Sequence, residues 1–167
     1  MNAIVLVAHP DDCIIFASAY MAAHPEHNWS ITYLTHWRFQ KRGREITRYW
    51  RKRGVKTKFL GFEDNVEDLR QGKCITWPKE TAIKALQSAV DGYELILTHG
   101  EDGEYGHPHH LIIYEAINTI NKPKVYFSNN SDLMYPIPKI NFAELPRHTK
   151  SIEIHAASGI SSYKEVL

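Results

Sequence analysis

The sequence predicts an α/β fold: a single domain, residues 1–167, in which helices cover both faces of a mostly parallel β-sheet. Three observations favour this fold. Short runs of β-branched and aliphatic residues, typical of strands buried on both faces, recur along the chain. Segments with helical spacing of apolar residues alternate with them. The length of 167 residues suits one domain with a sizeable core.

The predicted elements follow each other in a regular order. Five strands are expected, each an apolar or β-branched run, at residues 4–7, 30–34, 55–62, 94–100 and 124–130. Four helices are expected between them, at residues 14–23, 44–52, 77–90 and 109–120. The segment after about residue 129 shows only weak signals, so we expect it to be a reduced C-terminal part of the same domain.

The composition argues against several classes of partner. The formal net charge of +1 does not predict binding to nucleic acid or to an anionic membrane. The basic stretch from Arg38 to Lys58 is typical of a solvated helix face, with a phosphate-binding patch as the alternative. No segment is long and apolar enough for a membrane span. Because two cysteines are too few for a disulfide framework, we expect a cytoplasmic protein; the sequence leaves open whether it forms a homo-oligomer.

The first polar cluster occurs where the first predicted strand ends. His9, Asp11 and Asp12 directly follow that strand, at the sheet edge where open α/β folds bind ligands. With one later histidine, His9 and Asp12 would form a two-histidine, one-carboxylate set, which is a composition of catalytic zinc sites. Bound zinc lowers the pKa of its water from about 15.7 to about 7. Asp11, beside a ligand, is then a candidate general base.

The second polar cluster follows the fourth predicted strand and contains three histidines, His107, His109 and His110. If His110 is the third metal ligand, His107 lies beside the open coordination position. A histidine there can stabilise a developing oxyanion or protonate a leaving group. His109 points elsewhere on this spacing and is a candidate for orienting His107. The alternative is that these side chains are only helix caps and solvated surface histidines.

The motifs "AHPDD" and "GEYGHPHH", joined by "RGREITRYWRKRGVKTKFLGFED", resemble the LmbE-like (PIG-L) family of zinc-dependent N-acetylglucosaminyl deacetylases. The resemblance covers most of the chain, and the ordered set of motifs is more specific than either motif alone. It implies a Rossmann-like fold, one zinc ion per chain and a small-molecule N-acetylated sugar as substrate.

The resemblance also implies a role for each residue of the two motifs. His9, Asp12 and His110 would bind zinc. Asp11 would be the general base that activates the zinc-bound water, and His107 would stabilise the tetrahedral intermediate and assist departure of the amine. These roles agree with the chemistry expected from the residues alone.

Four further residues are expected to bind substrate, three of them on the same resemblance and His36 by its position alone. Arg44 is the best match for a substrate-contacting arginine on the family's second helix, with Arg42 as the alternative. Asp64 falls in a turn that lines the sugar pocket, and His36 follows the second strand. His155 belongs to a segment similar to the family's closing Lys…His…Ser pattern.

Two positions beside the expected metal ligands and His107 depart from the family pattern. Cys13 stands where the motif "AHPDDE" has glutamate, and His109 stands where "HPDH" has aspartate. We expect the Cys13→Glu substitution to raise zinc affinity or turnover modestly, although a small buried apolar role for Cys13 is the alternative reading. We expect His109 to retune the pKa of His107 without abolishing function.

The function favoured by the sequence is therefore a zinc-dependent hydrolase that removes the acetyl group from an N-acetylated sugar. Two alternatives stay open. One is a metal-dependent amidase that acts on a non-sugar or nucleotide-linked amide. The other is a catalytically inactive metal-binding module of the same fold.

Overall fold

A seven-stranded sheet organises the protein, seen in a computed structural model that describes residues 1–64, 75–128, 133–136 and 160–166. Its strands are β1 (Asn2–Val7), β2 (Asn28–Thr35), β3 (Lys56–Phe62), β4 (Leu95–Thr98), β5 (Lys124–Ser128), β6 (Leu133–Pro136) and β7 (Ile160–Val166). They lie in the order β3-β2-β1-β4-β5-β7-β6. The five strands from β3 to β5 are parallel, and β7 is antiparallel to both β5 and β6. The predicted mostly parallel α/β fold is confirmed.

Helices connect the parallel strands. They are α1 (Ser18–Ala23), α2 (Lys41–Arg51), α3 (Lys79–Ala89), a short kinked α4 (Gly103–Gly106) and α5 (Pro108–Asn118). A π-helical turn, Cys13–Ala17, precedes α1, so the first predicted helix does not begin as a regular α-helix. Wide turns of this kind occur mostly at functional sites. None of the helices in the described ranges is long and apolar enough to cross a membrane.

Strand β1 is buried on both faces and divides the core into two parts. Val5 and Val7 pack on the side of α1 and α2, whereas Ile4 and Leu6 pack on the side of α3 and α5. Because successive side chains of a strand alternate between faces, a strand covered on both sides needs an unbroken apolar run. This requirement explains why the first strand is so clear in the sequence.

The two C-terminal strands, β6 and β7, were not predicted. On β7, Tyr163 is buried while Lys164, Glu165 and Val166 are exposed. Strand β6 has only four residues and ends at Pro136. Three consecutive exposed positions give this end of β7 little apolar pattern, and the strand is held between β5 and β6 by pairing with both. The local sequence pattern therefore did not predict β7.

The strand order brings the two polar clusters together. The chain runs from β1 outward through β2 and β3, and then returns to β4 on the other side of β1. Leu6 of β1 pairs with Thr98 of β4, so the carboxyl ends of these strands are adjacent. A reversal of strand order is the place where open α/β sheets form ligand sites.

Removal of one buried leucine tests the α3 face of this core. Leu86 on α3 is fully buried, and we expect Leu86→Ala to lower the free energy of unfolding by about 2–5 kcal/mol in urea denaturation. Leu111 on α5 is 37% exposed, so Leu111→Ala should cost under about 1 kcal/mol. Equal losses in the two variants would contradict this assignment of the core.

Candidate metal centre

Three buried side chains, His9, Asp12 and His110, converge beyond the ends of β1 and β4. Asp12 Oδ2 lies 3.2 Å from His9 Nδ1 and 3.4 Å from His110 Nε2. Tetrahedral zinc, with ligand distances of about 2.0–2.1 Å, separates its ligand atoms by about 3.4 Å. The spacing of these three groups therefore fits one zinc-sized cation.

The turn after β1 places Asp12 by local hydrogen bonds. The His9 backbone N–H donates to Asp12 Oδ2 at 2.7 Å, and the Asp12 N–H donates to the His9 carbonyl at 3.2 Å. A short acidic side chain that accepts from nearby backbone favours such a tight turn. The same carboxylate oxygen thus holds the turn and faces both histidine rings.

His110 offers an unpartnered nitrogen to this centre. Its Nε2 is buried and makes no hydrogen bond with any of the described residues. On the opposite side of the ring, Nδ1 donates to Glu104 Oε2 at 2.6 Å, so the lone pair lies on Nε2. A buried polar atom without a partner is costly, and coordination of a cation would satisfy it.

Asp12 is poised to act as an anionic ligand. Burial by itself would raise the pKa of this carboxyl, but the adjacent His110 and His9 hold it well below its usual range. An ionised carboxylate with two imidazole nitrogens matches the donor preference of zinc. The residues present therefore fit the predicted metal.

Glu104 and His99 belong to the site, although the sequence interpretation missed both. Glu104 Oε2 accepts hydrogen bonds from His99 Nδ1 at 2.7 Å and from His110 Nδ1, and its Oε1 accepts from the Gly100 N–H at 2.9 Å. The rings of His99 and His110 stack with centroids 3.7 Å apart. Glu104 has a φ of 60°, a left-handed conformation that is uncommon for a residue with a side chain.

The pKa values of these two residues are set by burial and by their charged neighbours. Burial alone would lower the pKa of His99, but Glu104 and Asp12 raise it to about 9. Burial alone would raise the pKa of Glu104, but His99 and His110 lower it to about 2. The Glu104 carboxylate therefore stays ionised and, by accepting from both rings, orients the His110 ring, while His99 Nε2 accepts from the Ala8 N–H at 3.2 Å.

Asp11 lies in a group of polar side chains with three pocket candidates. Arg42 Nη2 donates to Asp11 Oδ1 at 2.7 Å. Asp64 Oδ2 lies 3.9 Å from Arg42 Nη1 and 3.8 Å from His36 Nε2. The structure thus brings Asp11, Arg42, His36 and Asp64 into one group.

Arg44, the preferred arginine of the sequence interpretation, lies outside this group. Its side chain is exposed and donates to the Phe39 carbonyl at 3.0 Å. Because helix α2 begins at Lys41, Arg42 and Arg44 point to different sides of it, as residues two apart on a helix do. Of the two arginines, Arg42 is therefore the one that the structure places beside Asp11. His155 lies outside the described residues.

His107 and His109 have separate contacts. His107 is the N-cap of α5, where its Nδ1 accepts from the His109 backbone N–H at 3.2 Å. The His109 ring lies between two histidines, with 3.1 Å between His109 Nδ1 and His9 Nε2 and 5.1 Å between the ring centroids of His109 and His107. The hydrogen bond that orients the His107 ring comes from the His109 backbone, and a role for the His109 side chain in orienting it stays a prediction. Burial and the nearby His9 lower the pKa of both His107 and His109 to about 3.

Cys13 points into the core beneath the site. Its sulfur lies 3.1 Å from Tyr33 Oη and accepts from Trp50 Nε1 at 3.1 Å. Burial raises the pKa of the thiol to about 12. A neutral, enclosed thiol of this kind is neither a metal ligand nor a reactive nucleophile.

These contacts reverse the expected sign of Cys13→Glu. The new carboxylate would be buried against Tyr33 and Trp50 with no cation beside it, so we expect a loss of about 3–5 kcal/mol in the free energy of unfolding. Cys13→Ser, whose hydroxyl keeps the hydrogen bonds, should cost under about 1.5 kcal/mol. Urea denaturation of both variants measures this, and a stable Cys13→Glu protein with higher zinc affinity would contradict it.

Glu104→Gln tests the orientation of His110. An amide oxygen cannot accept from two imidazole N–H groups as strongly as a carboxylate, so we expect zinc affinity to fall about 10–100-fold. Competition with a chromophoric chelator measures the affinity. Glu115→Gln is the matched control, because this glutamate only forms an exposed ion pair with Lys79 at 2.6 Å. Equal affinities in the two variants would exclude the positioning role.

Comparison with known proteins agrees with this architecture. The family model described as GlcNAc-PI de-N-acetylase (PIG-L) matches residues 4–121. Uncharacterized protein L374 of Acanthamoeba polyphaga mimivirus is 26% identical over 152 residues, which cover 80% of this chain and 64% of that protein. The chain thus spans just under two thirds of the length of this curated relative.

Two solved structures share the fold. 4-Carboxy-2-hydroxymuconate hydratase GalB from Pseudomonas putida KT2440 has a TM-score of 0.68 at 13% identity, over 99% of this chain and 96% of that one. N,N'-diacetylchitobiose deacetylase from Pyrococcus horikoshii has a TM-score of 0.59 at 13% identity, and the match covers 93% of this chain and 70% of that one. The likeness at this identity shows the fold, and the family match covers well over half of the chain. The protein therefore belongs to the PIG-L (LmbE-like) family.

Proposed function

We propose that the protein is a zinc-dependent deacetylase that hydrolyses the acetamide of an N-acetylated sugar to acetate and a free amine. The observation that carries this proposal is the ligand set of His9, Asp12 and His110, with Asp11 and His107 beside it. Family membership supports the deacetylase chemistry, and the donor set supports zinc.

Asp11 and Arg42 account for water activation. A zinc ion held by the three ligands would supply the Lewis acidity that lowers the pKa of water. Asp11 takes the proton of the attacking water while the oxygen adds to the amide carbon. Arg42, which donates to Asp11 Oδ1, orients the carboxylate for this step. When the C–N bond breaks, Asp11 returns the proton to the departing nitrogen.

His107 accounts for oxyanion stabilisation. Its Nδ1 is occupied as the acceptor of the His109 backbone N–H, and its lowered pKa keeps the ring neutral. The remaining proton is therefore on Nε2, which is available to donate to the carbonyl oxygen as negative charge develops. A neutral imidazole in this place stabilises the transition state without repelling the metal.

An exposed aromatic side chain supports a sugar as substrate. Tyr105 is 67% exposed, and its ring lies 5.8 Å from the ring of His107 and 5.2 Å from that of His110. A tyrosine ring beside a polar site offers an apolar face for a sugar ring and a hydroxyl for its edge. Asp64 and His36, on the other side of His9, provide polar partners for sugar hydroxyls.

A substrate panel separates this function from its alternatives. It contains N-acetylglucosamine conjugates with and without a phosphate, N-acetylated compounds that are not sugars, and an unsaturated hydroxy acid. The last compound is included because the hydratase fold covers nearly all of this chain. Acetate release from the sugars alone supports the proposal. Release only from other amides favours the amidase, hydration without acetate favours a hydratase, and stoichiometric zinc without turnover favours a binding module.

Two substitutions test the assigned roles. We expect Asp11→Asn to retain zinc while turnover falls at least about 100-fold, because a general base contributes about 10²–10⁴. We expect His110→Ala to lose the metal itself. Asp91→Asn, at an exposed position, is the control for a charge change of the same kind. Full activity of Asp11→Asn would show that another group is the base.

A further inference from the structure

A second set of donors lies on the outer side of the His9 ring. His9 Nδ1 faces Asp12, but His9 Nε2 lies 3.1 Å from His109 Nδ1 and 3.7 Å from Asp64 Oδ1. His109 Nδ1 and Asp64 Oδ1 are 4.0 Å apart. These three separations bracket the value of about 3.4 Å expected between ligands of tetrahedral zinc.

Asp64 points to a missing partner at this position. Its side chain is 11% exposed, and its Oδ1 is buried without a hydrogen-bond partner in the described part of the chain. The other oxygen faces Arg42 and His36. A carboxylate oxygen enclosed next to two imidazole nitrogens is expected to be paired, because an unpaired one costs free energy.

We propose that His9 Nε2, His109 Nδ1 and Asp64 Oδ1 form a second zinc site that shares the His9 ring with the first. The composition is again two imidazole nitrogens and one carboxylate. Both nitrogens of an imidazole have lone pairs once the ring has lost its protons, so one ring can bridge two cations. The third histidine of this cluster, His107, has a nitrogen within 4.8 Å of those of His9 and His109 and completes its rim.

Binding at the second site replaces a proton. At 3.1 Å, one of the two nitrogens, His9 Nε2 or His109 Nδ1, donates to the other. A second zinc ion takes the place of the proton of this hydrogen bond, which passes to water. His109 supplies one of the two nitrogens at a position where the family motif "HPDH" has aspartate.

The second site competes with the role of His107. A cation held by His9, His109 and Asp64 would lie next to the His107 ring, which the proposed function assigns to oxyanion stabilisation. This consequence rests on the proposed function, whereas the cation site itself does not. The chain therefore has one site that supports the reaction and a second that opposes it.

Zinc stoichiometry tests the proposal directly. The full-length chain is stripped of metal with a chelator, zinc is added stepwise, and bound zinc is measured against a chromophoric competitor. We expect two zinc ions per chain for the unaltered protein and one for His109→Gln, whose amide oxygen still accepts from His9 but is a poor zinc ligand. Asp64→Asn should likewise bind one ion. The matched control is His27→Gln, within a separate surface group of His24, Glu26 and His27.

Each outcome supports or overturns the second site. Two ions in the unaltered protein and in His27→Gln, with one in His109→Gln and Asp64→Asn, support it. A single zinc ion in the unaltered protein overturns the second site. So does a His27→Gln protein that has lost the second ion, or a His109→Gln protein that still binds it. If the protein binds two zinc ions but releases acetate from no substrate, the second site is supported and the proposed function fails. If it releases acetate but binds one zinc ion, the proposed function is supported and the second site fails.

Discussion

One carboxylate oxygen, Oδ2 of Asp12, connects the backbone turn after β1 to both histidines of the metal centre. It accepts from the His9 N–H at 2.7 Å and faces His9 Nδ1 and His110 Nε2. Because this oxygen holds the turn and also belongs to the proposed ligand set, the proposed metal position is tied to the end of β1. Rigid elements hold ligands more accurately than loops do, so the metal geometry follows from the fold.

The electrostatics of the site follow from burying that carboxylate. Four acidic groups occupy a small space, and Arg42 supplies only part of the compensating charge; they are Asp11, Asp12, Asp64 and Glu104. A bound cation supplies more of it, which is a physical reason for the site to hold metal. The neutral state of His107 fits the same balance, because another positive charge there would repel the metal.

The sequence predicted what depends on local pattern. Strand β1 was clear because both of its faces are buried, and the convergence of the two clusters followed from the position of strand ends. The roles of Glu104 and His99 were not predictable, because they depend on a left-handed backbone and on ring stacking across the fold. The choice between Arg42 and Arg44 depends on where α2 begins, and local propensity does not define helix ends to one residue.

The two nitrogens of His9 explain why the proposed sites should differ in affinity. On the Nδ1 side, Asp12 and His110 are buried, and Glu104 holds the His110 ring in place. On the Nε2 side, the Asp64 carboxylate also faces Arg42 and His36, so part of its negative charge is already engaged. Binding there must in addition displace the proton of the hydrogen bond between His9 Nε2 and His109 Nδ1. We therefore expect the first proposed site to fill at a lower zinc concentration than the second, and the two nitrogens of one imidazole ring account for this order.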